Sequence, residues 1–223
     1  MYKKTIITFL LFILFISCKA QNPIIPRFNN GGTFGDVPGA YYKDIDNYLD
    51  QFVGTWIYTN GTTTLEIRFI KKLMMFQDNS FYADDLFGEF KYIENGVEMA
   101  NTLNNLNNNY LTPYEYSLYS ITKMFKNSFP KCDECTESNK RLLMLFKEPA
   151  NDDSMLSAKL TVRRVDENGV EKIKIQFPNH KIVLTFFSPS GYEVRKNNTI
   201  ADLTVYLPID TKQNAKQFLE LVH

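Results

Sequence analysis

From Gly54 onward the apolar positions of this chain fall on alternate residues. Leu65, Ile67 and Phe69 alternate with Glu66 and Arg68, and comparable runs recur at 87–93, 114–121, 141–146, 160–165, 172–177, 181–187 and 203–207. Side chains of an extended strand point to opposite faces in turn, so this period of two predicts strands with one face buried. Turn signals punctuate the runs: Asn60-Gly61, Asn95-Gly96, Asn168-Gly169 and Ser188-Pro189-Ser190-Gly191. Asn-Gly is a strong hairpin signal because both residues tolerate positive φ. Roughly nine or ten short strands joined by tight turns predict an all-β, single antiparallel meander. Helical crossovers of the βαβ kind are not visible, which argues against an α/β enzyme fold.

The period breaks in four places. Tyr48, Leu49 and Phe52 share a face at helical spacing and predict one short helical turn within 41–52, while Ala215, Phe218, Leu219 and Val222 predict a short C-terminal helix over 212–222. Residues 21–42 are rich in Asn, Gly and Pro and lack apolar periodicity, as in a flexible lead-in. Residues 101–109 hold six Asn and read as a surface loop, with Leu103 and Leu106 as the alternative start of a short capping helix.

The first residues are of a different kind. Lys3 and Lys4 precede an apolar run from 5 to 16 and then Ser17-Cys18-Lys19-Ala20, the layout of a secretory signal peptide. The run is shorter than the about 20 apolar residues a membrane-spanning helix requires. Phe15-Ile16-Ser17-Cys18 resembles the lipobox of bacterial lipoproteins, which implies cleavage before Cys18 and lipidation of its thiol; Cys18-Lys19-Ala20 also fits an ordinary small-residue cleavage site. The chain therefore divides into a signal peptide (1–17), a lipidated tether and lead-in (18–42) and a β domain (43–223). The expected location is the cell envelope, anchored by lipid to the outer membrane, with periplasmic or secreted forms as alternatives. Loss of Lys3 and Lys4 leaves 23 basic residues against 25 acidic ones, a balance of −2. Charges of both signs are mixed along nearly every segment, which argues against nucleic acid as a partner. The remaining length suits one domain with a core that needs no disulfide.

Candidate chemistry is sparse. Cys132-Asp133-Glu134-Cys135 has the spacing of half a zinc site, but the remaining possible ligands of that kind are Cys18, His180 and His223, and a structural zinc site takes four. In an oxidising compartment the pair reads as a small loop disulfide, with a free dithiol or labile redox pair as the alternative. His180 lies in a turn-like stretch without a nucleophile motif. Asp84-Asp85 and Asp152-Asp153 lie in sequence that reads as loop, where solvated charge is the ordinary explanation. Asp44, Asp46 and Asp50 are spaced for Ca²⁺, but Leu49 stands where an EF-hand-like loop requires Gly. These residues predict no catalytic set, no metal and no cofactor. The 13 Tyr and 18 Phe suit strand packing, and equally an aromatic-lined cavity.

Two resemblances add to this. Phe52-Val53-Gly54-Thr55-Trp56 resembles the Gly-x-Trp signature that opens the first strand of lipocalins and related calycins. It implies a lipocalin-like barrel (the alternative being a two-sheet β-sandwich), a structural role for Gly54 and Trp56, and a basic residue from a late strand over the Trp, for which Arg195 is a candidate. Gly39-Ala40-Tyr41-Tyr42-Lys43-Asp44, with 52–58, resembles a family of exported flavobacterial proteins classed as a domain of unknown function. The first functional expectation is then a non-enzymatic envelope lipoprotein binding a small apolar or amphipathic ligand in a barrel cavity. The second is a surface module with a filled core whose loops bind a protein partner, and the third an enzyme assembled from scattered residues.

Overall fold

The computed structural model describes residues 22–28, 34–77, 80–129, 131–139, 141–147 and 157–176, with 183–187 described by their backbone. The signal segment and Cys18, Asp152-Asp153, His180, the turn at Ser188, Arg195, the strand at 203–207, the closing helix at 212–222 and His223 lie outside the described residues.

The alternating runs form strands β3 (Gly54–Asn60), β4 (Thr63–Gln77), β5 (Phe81–Glu94), β6 (Val97–Asn101), β7 (Leu118–Met124), β8 (Arg141–Lys147), β9 (Ser157–Arg164), β10 (Lys172–Gln176) and β11 (Val183–Phe187). Turn chemistry sets their register. Asn95 and Gly96, and likewise Asn168 and Gly169, both take positive φ between paired residues, as a type I′ hairpin requires. At the first hairpin the two-residue loop is Gly61-Thr62, with Asn60 paired to Thr63 as the last residue of β3.

The stretch 21–42, read as lead-in, instead contributes two strands, β1 (Ile24–Pro26) and β2 (Tyr41–Lys43), the second ending one residue beyond it. β1 runs parallel to β2 and β2 parallel to β5, so the sheet is mixed. Their pairing joins residues distant in sequence, which leaves no local signature. The helical turn expected within 41–52 is a 3₁₀ turn at Asp50–Phe52, and Tyr48, Leu49 and Phe52 are buried together beside it. Two further 3₁₀ turns form: Leu103–Asn107, where Leu103 and Leu106 offered a short helix in place of a surface loop, and Pro113–Glu115, which takes the start of the strand expected over 114–121, so that β7 begins at Leu118.

The sheet runs β1-β2-β5-β4-β3-β11-β10-β9-β8-β7, with β6 on β5 and a further β5–β7 pairing. One edge of β5 pairs with β4 over twelve positions. The other is shared by β2 at Tyr82 and Ala83, β7 at Phe87 and Gly88, and β6 at Lys91–Glu94. The β3–β11 seam is one pair, Ile57 and Phe187. These long ladders establish an all-β domain; two seams of one and two pairs do not by themselves establish a closed barrel wall.

One face of the meander packs into a single apolar core. Trp56 and Tyr58 of β3, Ile67 and Phe69 of β4, Phe90 and Tyr92 of β5, Met144 and Phe146 of β8, Val162 of β9 and Ile175 of β10 are all buried there. Full burial of each large apolar side chain contributes about 1.5–3 kcal/mol. Gly88 admits the Phe69 ring: a Cβ there would stand 2.6 Å from two ring carbons. The opposite face of β5 is covered too. Phe87 packs on Tyr116 with ring centroids 4.4 Å apart, and Ala83 packs with Ala40 and Tyr42. β5 is therefore buried on both faces between Ala83 and Phe90.

Candidate functional site

Gly54, at φ +133°, opens β3 in a conformation side chains rarely adopt. Trp56 follows, buried, donating Nε1–H to the Phe52 carbonyl at 2.8 Å. The basic residue over its ring is Arg164 of β9, the guanidinium carbon 5.1 Å from the ring centroid. Arg164 also donates to the Gln51 carbonyl at 2.7 Å, so it ties β9 to the turn before β3. The residue the sequence pointed to for this place, Arg195, lies outside the described residues; Arg164, shortly before an Asn-Gly turn, carries no mark in the sequence that distinguishes it. This arrangement is a structural anchor.

Asp84 and Asp85 require a correction. Their sequence context reads as a solvated loop, and they stand buried in β5. An Asp-Asp pair reads as turn because a strand normally has nothing to offer buried carboxylates. Here each points to its own face and finds donors from distant segments. Asp85 is paired to Arg27 at 2.5 Å and accepts from Ser120 Oγ at 2.8 Å and Gln77 Nε2 at 2.7 Å. Arg27 itself lies against the rings of Phe28 and Phe34. Asp84 accepts from Tyr41 Oη at 2.5 Å and from the backbone N–H groups of Asp44 and Met74. Burial and the Asp84 carboxylate together push the Tyr41 phenol far above its ordinary pKa.

Asp44 in turn accepts from the N–H groups of Tyr48 and Leu49, and Lys71 bridges it to Asp50 at 2.9 and 2.7 Å. An ammonium thus occupies the space where the Asp44, Asp46 and Asp50 spacing would have put a cation, and Asp46 lies exposed. Glu89, which nothing in the sequence singled out, is fully buried and accepts from the Ser117 N–H at 3.1 Å and its Oγ at 2.5 Å. Burial pushes its carboxyl above the usual range; the Ser117 and Thr102 hydrogen bonds oppose this. A cavity of about 170 Å³ lies beside this cluster, lined by Pro26, Arg27, Phe28, Asp44, Ile45 and Asp46.

Cys132 and Cys135 are joined by a disulfide. They lie in the loop between β7 and β8, and the loop is gripped from beneath by two arginines. Arg163 of β9 donates through Nη1 to Cys135 Sγ at 3.3 Å and through Nη2 to the Glu134 carboxylate. Arg141, at the start of β8, donates through Nη1 to the Phe125 carbonyl at 2.9 Å. Both guanidiniums are buried, and burial together with the Arg163 charge pulls the Arg141 pKa down. The outer side of the same loop exposes two aromatic rings, Phe125 at 60 % and Phe129 at 78 %.

A family model matches residues 1–206, nearly the whole chain. The chain belongs to the family of unknown function DUF6705. No curated protein and no solved structure matches it. Membership in DUF6705 supports the expected likeness to a domain of unknown function and assigns no chemistry, which leaves geometry as the guide to function. Of the candidates, Gly54 and Trp56 meet in the β3 anchor, Asp44, Asp84 and Asp85 meet around β5, and Cys132 and Cys135 stand apart with Arg163. Among the described residues no group of three or more His, Cys, Asp or Glu is placed to hold a metal ion, and no helix is long and apolar enough to cross a membrane. What the described residues of this member of DUF6705 offer is a packed apolar core, a cluster of hydrogen-bonded buried carboxylates and a disulfide loop with exposed rings.

Proposed function

We propose that the protein is a non-enzymatic surface module of the cell envelope, held by lipid on Cys18 and binding a protein partner through the 125–139 loop. The observation that carries this reading is the pairing of exposure with restraint: Phe125 and Phe129 stand in solvent on a loop fixed by a disulfide and two buried arginines. Exposed aromatic side chains on rigid backbone bind with little entropic cost, which is what interface hot spots require. Enzyme chemistry fits less well, because Asp84 and Asp85 face opposite sides of β5 and each is already engaged by several donors.

The carrier reading retains one supporting observation. Strands β5-β4-β3-β11-β10-β9-β8-β7 and the β5–β7 seam give each strand two neighbours, the connectivity of a lipocalin-like barrel. Against it, among the described residues the side chains that would line such an interior are packed on one another.

A photo-crosslinking amino acid at position 129, with the exposed Lys43 position as control, tests the choice in cells that make the protein. A discrete crosslinked species at 129 that is lost with Phe125→Ala is expected. Stoichiometric uptake of a fluorescent fatty acid, read by energy transfer from Trp56, would overturn the reading in favour of the carrier. Metabolic labelling with palmitate, abolished by Cys18→Ala, tests the anchor.

A further inference from the structure

Among the described residues, cationic side chains outnumber carboxylates in the lining of the cleft beneath the disulfide loop. Arg141, Arg163 and Lys174 converge on a small cleft of about 30 Å³ that also takes in Cys132. Glu134 is the carboxylate that forms ion pairs with this group, to Arg163 and, at 3.6 Å, to Lys174. Glu134 is also largely exposed, so solvent weakens its field, whereas Arg141 and Arg163 are 2 % and 8 % exposed. The nearby Lys131–Asp133 pair is exposed and neutral as a unit. A negative charge on Cys135 Sγ would be stabilised by the buried Arg163 guanidinium, whose Nη1 stands 3.3 Å from it. The two residues differ in access: Cys132 is 9 % exposed and Cys135 3 %.

We propose that Cys132–Cys135 is a thiol-exchanging disulfide in which Cys132 is the sulfur attacked and Cys135 the thiolate released onto Arg163. A low-molecular-weight thiol loses its proton to solvent and attacks Cys132 Sγ. The new S–S bond forms as the Cys132–Cys135 bond breaks, and its electron pair leaves with Cys135. A second thiol, after losing its proton to solvent, attacks the external sulfur of the mixed disulfide and releases Cys132 as a thiolate, which takes a proton from solvent. Two thiols are oxidised to one disulfide, and the protein takes up two electrons as a thiolate and a thiol. Departure is faster from the sulfur whose thiolate is the more stable, and a neighbouring guanidinium lowers a thiol pKa from about 8.5. The site goes beyond the interaction module, since it requires neither the exposed rings nor a protein partner.

The test uses the Cys18-to-Ser full chain and glutathione. After equilibration in glutathione buffers, quenching and mass mapping are expected to place glutathione on Cys132 and not on Cys135. In the reduced protein, the pH dependence of alkylation at each cysteine is expected to show Cys135 ionising at least one pH unit below Cys132. Arg163→Gln is expected to raise the Cys135 value and shift the glutathione equilibrium about tenfold toward disulfide, about 30 mV for a two-electron couple; Arg163→Lys restores part of the shift. Glutathione on Cys135, equal ionisation of the two thiols, or a disulfide that stays closed in reducing glutathione would each overturn the proposal. The first two readouts use the native Arg163, so they decide the matter even where Arg163→Gln folds poorly.

Discussion

Around β5, four buried carboxylates, Asp44, Asp84, Asp85 and Glu89, share Arg27 and Lys71 with hydroxyl, amide and backbone donors, and their charge is answered nearly locally. Around the disulfide loop the buried Arg163 and the part-exposed Lys174 share one exposed carboxylate, Glu134, and Arg141 lies buried beside them. Both regions bury charge, but in the first every carboxylate accepts from hydroxyl, amide or backbone donors, while in the second a guanidinium donates to a sulfur. A buried carboxylate with its donors satisfied costs little further and fixes which segments meet, and this is how residues distant in sequence are drawn onto β5. A buried guanidinium against a sulfur holds a field that favours negative charge there. The contrast separates a device of architecture from a place where chemistry is poised, and mutations can break or sharpen it.

The largest effect is expected from breaking the carboxylate network. Arg27→Met leaves Asp85 buried without its counter-charge and should cost about 3–5 kcal/mol, read by guanidinium denaturation. The double variant Arg27→Met with Asp85→Leu should recover most of the loss, because removing both partners is often nearly neutral. A single-variant loss near the about 0.5 kcal/mol of a surface change would mean that this pair does not hold the first segment to the sheet. Next comes Gly88→Ala. Its Cβ would overlap the Phe69 ring at 2.6 Å, and overpacking of this kind costs about 1–3 kcal/mol. Phe69→Leu in the same protein should relieve part of it, and strict additivity would refute the contact as the cause.

Glu89 gives a smaller effect with a definite sign. Burial raises its folded pKa above the unfolded value, so between the two the folded state binds more protons than the unfolded chain. Stability attributable to this group therefore increases as pH falls through that window and is lost as pH rises above it. Relative to Glu89→Gln, the wild type should gain stability on acidification from neutrality toward the unfolded carboxyl value, by no more than about 1.4 kcal/mol per pH unit. Urea titrations at a series of pH values measure it, and a difference that is flat or of opposite slope rejects the raised carboxyl.

What the sequence made legible follows the range of the interactions involved. The hairpins at Asn95-Gly96 and Asn168-Gly169 were readable because the residues that need positive φ are themselves the signal. The alternating cores of β3, the first half of β4 and β8 were readable for the same local reason. The second half of β4 was not, because the register shifts between Lys72 and Met75, with Met74 at positive φ, and a bulge of this kind interrupts the alternation that announces a strand. β1 and β2 were hidden because parallel pairing to a distant strand has no local pattern. The buried acids were misread because their donors, Arg27, Tyr41 and Ser120, come from 35 to 58 residues away. Of the candidate site, the CxxC spacing was visible and Arg163 was not, since two consecutive arginines at the end of a strand look alike until one reaches sulfur and the other Trp56.

The smallest expected change in stability bears most directly on function. Phe129 is exposed and lies outside the three buried clusters, so Phe129→Ser should leave the unfolding free energy within about 0.5 kcal/mol of wild type. If the loop is the binding surface, the same change should remove the crosslink at neighbouring positions, because a hot-spot ring contributes to binding out of proportion to its share of the contact. Equal stability with lost crosslinking places the work in the loop and leaves β5 as its support. Equal stability with crosslinking retained would return attention to the cavity beside Arg27, where the carboxylate network would then have to do more than hold the fold together.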